Sequence, residues 1–470
     1  MGKTAKPLPY LVSHLDISYI GLCIPQIWIY CIAHREDGVL GEIEVGIPLY
    51  LALTLCMIGA FIAGSRGHLK PGNHPLDIVG ALLQGAATLF IVAPLASFAE
   101  NMPWFFILCA AIAGLGVAWL YLQWAPFFAS LGTRDVVASV FLGMAAGSVL
   151  KTPLDVLPAW PAAIILALLP ALSVVLVRRA LAHPVPCERT PRLFHEENPT
   201  SIPWGILIGV AAYSFAIGAV KSYSAMVDPV PFWILTLVHH GVEVLLAVLV
   251  LWWVLVCGRT IRFSAAWRAI MLFTAAALIF LPVSASAAPW ILLCAGVAQT
   301  LVVMLLWAML ADVAHHSAAS PYVIFASGWI AYSLPLALGE GVGLATLPEN
   351  PSLVLAILAY FVCAVAVLAL SDSAFSQRRI FADLDVPAPT GDAFEQLDAR
   401  CKTLAQEHDL TAREAEILLM IVRGRSKGYI AENLFISENT VRSHAKHIYA
   451  KLGVHSKQEV LDMLGLGILH

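Results

Sequence analysis

Twelve stretches of about twenty mostly apolar residues follow one another through the first 371 positions of this chain. Each is long enough to cross the ~30 Å hydrocarbon core of a bilayer as a helix. They lie near 17–33, 44–64, 77–98, 102–122, 135–151 and 156–177, and, after a polar segment at 178–202, near 203–221, 231–256, 264–284, 287–311, 320–341 and 351–371. In hydrocarbon every backbone N–H and C=O must bond within the protein, and a helix does this span by span. The chain is 60% hydrophobic and 12% charged, against about 25% charged residues in soluble domains. That balance excludes a large soluble enzyme. The expected fold class is all-α: a polytopic transmembrane helical bundle over 1–371, in two six-helix halves, then a polar linker at 372–404 with a helical second half from Asp392 to Glu407, and a small helical domain at 405–470.

Basic residues set the expected orientation. With a cytoplasmic N-terminus, the inside segments hold Lys3, Lys6, Arg66, Lys70, Arg134, Arg178, Arg179, Arg189, Arg192, Arg259, Arg262 and Arg268, and the outside loops only Arg35, Lys151 and Lys221. Both termini are then cytoplasmic, and the chain is a multi-pass protein of the inner (plasma) membrane. Lys3 and Lys6 precede a long apolar segment with no small-residue cleavage site, so the first segment reads as a retained span. The nine cysteines show no C-x-x-C spacing, which predicts neither a disulfide framework nor a thiolate metal site.

Polar residues inside spans are costly and face a cavity or a partner. His239, His240 and Glu243 occupy one span at i, i+3 and i, i+4 spacing. They read either as a ligand or proton site or as an interhelical hydrogen-bonded group. Gln26, Gln84 and Gln299 read either as cavity lining for a small-molecule ligand or as links between helices. Asp312, His315 and His316 read as a solvated helix end. No phosphate loop, nucleophile elbow, metalloprotease or dinucleotide motif occurs, so the chain is expected to be neither an enzyme nor a holder of cofactor or metal.

The last sixty-odd residues differ in kind. Thr411 and Glu414 form a capping box, followed by an apolar face of Ala415, Leu418, Leu419 and Val422 that Gly424 ends. A short helix at 426–434 turns Ile430, Ala431 and Leu434 inward. Ser437 then caps a helix from Glu438 to Leu452 in which Val441, Ala445, Ile448 and Leu452 recur as a buried stripe. Its other face presents Asn439, Arg442, Ser443, Lys446, His447 and Lys451. A short helix, a tight turn and a capped helix with an apolar back and basic front make the geometry of a helix-turn-helix. Arg442 and Ser443 are placed for base edges, Lys446 for bases or phosphate. Lys427 and Lys451 are placed for phosphate, with Ser437 and Thr440 at the helix start. A final helix near 456–465 carries Val460, Leu461 and Leu464, which read either as a dimer surface or as packing onto their own domain.

This segment is similar to the LuxR-type (GerE- or NarL-like) DNA-binding domain. It carries Leu410-Thr411-x-Arg413-Glu414, then Ser426 with Ile430-Ala431-x-x-Leu434, then Ser437-x-x-Thr440-Val441-Arg442-x-His444, then Ile448-x-x-Lys451-Leu452. Gly428 and Tyr429 stand where Lys-Glu is usual, and Arg442 where Lys is commoner. The resemblance implies a four-helix domain, a homodimer on a two-half-site operator and base contact from the helix holding Arg442. The six-loop-six layout resembles the major facilitator superfamily, whose signature loop corresponds to Gly64–Gly72; here it keeps glycines and basic residues but lacks the acidic one. The combined expectation is a membrane-bound one-component transcription regulator. Its partners would be double-stranded promoter DNA, membrane lipid, an unidentified small molecule and the transcription machinery. The alternative is a secondary transporter with a fused DNA-binding domain.

Overall fold

The computed structural model describes residues 16–34, 45–70, 75–92, 102–183, 204–223, 231–257, 263–283, 286–317, 319–368, 391–422, 430–431, 434, 436–454, 459–460 and 463–464. Twelve apolar helices occupy the positions the hydropathy pattern marks. They are α1 (Cys23–His34, after a 3-10 turn at Ile17–Ile20), α2 (Gly46–Ser65), α3 (Pro75–Val92), α4 (Pro103–Ser130), α5 (Thr133–Val156) and α6 (Ala159–Ala182). The second set is α7 (Trp204–Lys221), α8 (Phe232–Leu251), α9 (Phe263–Phe280), α10 (Ala288–His316), α11 (Pro321–Thr346) and α12 (Pro351–Leu368). Eight of the apolar helices are long and apolar enough to cross a membrane; those at Ile17–Ile32, Leu76–Val92, Ala266–Phe280 and Pro351–Val367 are shorter. The protein is a multi-pass membrane protein.

Packing repeats between the halves. The pairs α1–α5, α2–α4, α3–α4 and α3–α6 recur as α7–α11, α8–α10, α9–α10 and α9–α12. Across the halves, α2 packs on α11 and α5 on α8, again a matched pair. In lipid such contacts rest on close approach rather than on apolar burial, so small residues gather where backbones touch. A Cβ on Gly339 would overlap the Phe215 carbonyl oxygen, one on Gly218 that of Leu336, and one on Gly343 that of Ala219. The α7–α11 pair is therefore built on three glycines. We expect Gly339→Leu to split this pair and remove most folded protein from detergent extracts, read by size-exclusion chromatography. Gly59→Leu, in open space, should leave the yield within twofold.

The fifth helix corrects the sequence reading. It does not end at Lys151 but runs on to Val156 through Pro153. Lys151 is thus no loop lysine; it lies inside a helix and is 6% exposed.

The C-terminal domain has its own core. Helices α13 (Gly391–Glu407), α14 (Ala412–Val422) and α15 (Glu438–Leu452) bury Cys401, Leu404, Ile417, Leu418, Val441, Ile448 and Leu452 together. Because Cys401 and Leu404 belong to that core, and Arg400 Nη1 donates to the Leu464 carbonyl at 2.8 Å, the domain begins ahead of residue 405. The segment expected as linker ends in a helix.

Candidate functional site

Two arrangements carry chemistry, one in each domain. In the C-terminal domain the Thr411–Glu414 box closes in both directions. Thr411 N–H donates to Glu414 Oε2 at 2.8 Å, and Glu414 N–H to Thr411 Oγ1 at 3.2 Å. Ser437 Oγ accepts the Thr440 N–H at 3.1 Å and lies 2.8 Å from Thr440 Oγ1. Gly453, at φ 69°, ends α15 in the left-handed conformation that glycine tolerates. Val441, Ala445, Ile448 and Leu452 face the core, while Asn439, Arg442, Ser443, Lys446 and His447 are exposed. The helix is capped at both ends, held by its apolar back, and open along a polar face.

Several expected contacts fall elsewhere. Lys451 is exposed but spends its ammonium within the domain, 2.7 Å from Glu414 Oε2 and 3.0 Å from the Asp409 carbonyl. Its charge secures the start of α14 instead of standing free for phosphate. Ser437 and Thr440 likewise spend hydroxyl contacts on the cap. Val460 and Leu464 are 0% and 4% exposed in the domain's own core, which corrects their reading as a dimer surface, since a residue already packed inward has no face to offer. Lys427 and Leu461 lie outside the described residues.

The Lys451 ammonium, with the Thr411 N–H, holds the Glu414 carboxyl down at about 2. A lowered carboxylate stabilises the fold above its unfolded value and loses that stabilisation as pH falls through the folded one. The Glu414–Lys451 contribution should therefore be complete at neutral pH and decline between about pH 4.5 and 2. We expect Glu414→Ala to lower the unfolding free energy of this domain by an amount near a lost cap, roughly 0.5–2 kcal/mol, with the difference from wild type shrinking toward pH 2 in thermal melts.

In the membrane domain a cavity of about 90 Å³ lies between α1, α2, α4, α5, α8, α10 and α11. That is room for several waters or a small organic molecule. Gln26, Tyr30, Tyr50, Tyr121, Ser148, Lys151, His239, Gln299, Trp329 and Tyr332 are among its walls. Of the expected ligand residues, Gln26, His239 and Gln299 line it, and Gln299 Nε2 donates to the Tyr332 hydroxyl at 2.8 Å. Gln84 does not: it is buried beside Gly116. His240 and Glu243 stand just behind the wall.

The decisive wall residue is one the sequence reading placed in a loop. Lys151 Nζ lies 2.9 Å from Glu243 Oε2 and 4.1 Å from the centre of the Tyr30 ring. Glu243 also accepts from Ser148 Oγ at 2.6 Å and sits 3.2 Å from His239 Nε2. His240 approaches Asp155 at 3.8 Å and Thr152 Oγ1 at 3.3 Å. Since α5 belongs to one half and α8 to the other, the buried ion pair joins the halves beside the cavity. A buried ion pair contributes little net stability, but loss of either partner leaves an uncompensated buried charge.

Two further polar groups join helices, the first of them against expectation. Asp312 is buried and accepts from Thr133 Oγ1 at 2.6 Å, and His315 Nδ1 lies 3.0 Å from the Ala129 carbonyl. These residues join α10 to the α4–α5 corner rather than ending in solvent. Asp77, at the start of α3, takes bonds from Trp119, Gln123 and Arg178 at 3.0, 3.0 and 3.2 Å. It supplies an acidic group near the loop whose own sequence lacks one.

With the geometry in place, comparison with known proteins is decisive for the smaller domain. Residues 408–464 match the family "Bacterial regulatory proteins, luxR family". The C-terminal segment is a LuxR-type helix-turn-helix domain. The oxygen regulatory protein NreC of Staphylococcus aureus (strain JH9) is 47% identical over 53 residues, 11% of this chain and 24% of the relative. The chain thus spans about a quarter of that relative's length. The bundle resembles the human organic anion transporter MFSD10 (TETRAN), with a TM-score of 0.50 at 13% identity, covering 75% of this chain and 96% of that one. The bundle shares its fold with that transporter, and at this identity the likeness concerns fold alone. The proton:xylose symporter XylE superposes with a TM-score of 0.48 at 14% identity, over 75% and 94% of the two chains.

Proposed function

We propose that this protein is a membrane-bound transcription regulator of the one-component kind. A small molecule enters the bundle cavity and favours one arrangement of the halves, and the bias passes through residues 372–390 to the DNA-binding domain. The chain acts without enzymatic chemistry. It sits in the inner membrane with both termini in the cytoplasm, binds promoter DNA as a homodimer and engages the transcription machinery. The observation that carries this reading is covalent: one chain joins an exposed, basic α15 face to a bundle whose cavity wall includes Lys151, paired with Glu243 of the other half. A ligand shifts such an equilibrium only if it binds one arrangement better, and a wall residue that also ties the halves together provides that difference.

The test is a reporter driven by the gene's own upstream DNA in cells carrying the full chain. Small-molecule-dependent expression that requires both the bundle and Arg442 supports the proposal. Expression unchanged by removal of the bundle would sink the sensing half of it. The second reading, a transporter with a regulatory domain, draws on the bundle fold. It predicts ligand accumulation in proteoliposomes, where the sensor reading predicts binding without net uptake.

A further inference from the structure

We propose that the cavity takes a small carboxylate anion on Lys151, together with one proton from solvent that settles on the His239–Glu243 pair. This deepens the ligand-sensing reading above and rests on it.

The first argument is an excess of unspent donors. Gln26 Nε2 and Trp329 Nε1 are out of solvent with no hydrogen-bond partner among the described residues, and both side chains belong to the cavity wall. Lys151 adds an ammonium with three N–H groups, of which Glu243 takes one and the Tyr30 ring faces another side. Buried donors without partners are costly, so the complementary ligand brings acceptor atoms. A carboxylate offers two oxygens and no donor. Tyr121 and Trp329, stacked with centroids 4.4 Å apart, form an apolar wall for the rest of a compact molecule.

The second argument is charge. Lys151 and Glu243 cancel, and an anion entering this low-dielectric site would leave one uncompensated negative charge. A protonated His239 removes it. With His239 Nε2 already 3.2 Å from Glu243 Oε1, the imidazolium pairs with the carboxylate while Lys151 turns to the ligand. The other titratable groups facing this pair are Asp155 and Lys151 on α5, Tyr30 on α1 and His240 on α8. From α10 the group packed on His239 is Gly296, which does not titrate. One anion and one proton enter together, and Lys151 loosens a tie between the halves as it changes partner.

The experiment uses the full-length protein in nanodiscs. Thermal unfolding and binding titrations are run with benzoate and propionate beside benzamide and propionamide, from pH 6 to 8. The carboxylates should raise the unfolding midpoint and the amides should not, and carboxylate affinity should fall with rising pH by up to tenfold per unit. Glu243→Gln leaves Lys151 un-neutralised, so it should bind benzoate at least tenfold more tightly and without pH dependence, while the Lys151→Met, Glu243→Leu double variant, which has neither the ammonium nor an unpaired buried charge, should not bind it. Equal stabilisation by amides, pH-independent carboxylate binding to wild type, or no binding by any probe would each overturn the assignment. A carboxylate that binds with these signatures yet leaves reporter expression unchanged would sink the sensor reading and leave the ligand assignment standing.

Discussion

Replacing Arg442 and Lys446 together by alanine should lower specific affinity for the protein's own operator by about a hundredfold, while the protein stays folded. The estimate joins one base contact of ~1–3 kcal/mol with a second contact of similar size, at about 1.4 kcal/mol per tenfold. Folding should survive because both side chains are exposed and lie opposite the Val441–Ala445–Ile448–Leu452 stripe. The two residues separate by salt dependence. If Arg442 reads a base and Lys446 a phosphate, Arg442→Ala relaxes sequence preference at one position. Lys446→Ala then weakens binding to all sequences and reduces the salt slope by about 1. Lys451→Ala is the control that sequence reasoning alone would have misassigned. Its ammonium is held by Glu414 and the Asp409 carbonyl, so its removal should destabilise the domain and leave the affinity of the folded fraction within a few-fold. Fluorescence anisotropy with operator and scrambled DNA at several salt concentrations reads all of these. A double variant that still binds operator specifically at wild-type strength would remove α15 as the reading helix.

The C-terminal site was legible because its signals are local. A capping box, an i, i+4, i+7, i+11 stripe and a glycine stop each involve residues within about four turns of one another, and backbone geometry then fixes which face is free. The twelve apolar helices, eight of them long enough to cross a membrane, were legible for the same reason, since hydrocarbon imposes its demand on each segment separately. What escaped notice depends on tertiary neighbours. Lys151 reads as a span-ending charge until Glu243, 92 positions away, is placed beside it. Asp77 gives no signal of its own in the sequence, and only the fold brings Trp119, Gln123 and Arg178 onto it. Val460 and Leu464 show an apolar face in sequence, and only the assembled core shows that this face is already covered. Gln26 and Gln84 look alike as lone amides in apolar helices. One reaches a cavity and the other packs against Gly116, a difference no periodicity encodes.

A large loss of stability should also come from Lys151→Ala. Glu243 is 0% exposed, and without the ammonium its negative charge keeps only the Ser148 hydroxyl and His239 as near partners. Breaking a buried pair from one side typically costs about 3–5 kcal/mol, because the remaining ion keeps its desolvation penalty and loses its compensation. A loss of that size should drastically lower the yield of folded protein and its unfolding midpoint in detergent. The companion variant decides the cause. Lys151→Met with Glu243→Leu removes both charges at similar volume and should recover most of the lost stability, since apolar replacements of buried pairs are often neutral or better. Recovery would identify charge compensation as the reason for the pair, and the rescued protein would then be stable yet unable to exchange Lys151 between Glu243 and a ligand. If the double variant is as unstable as the single one, the contact of the Lys151 ammonium with the Tyr30 ring matters more than its pairing with Glu243, and the ion pair would no longer serve as the switchable tie between the halves.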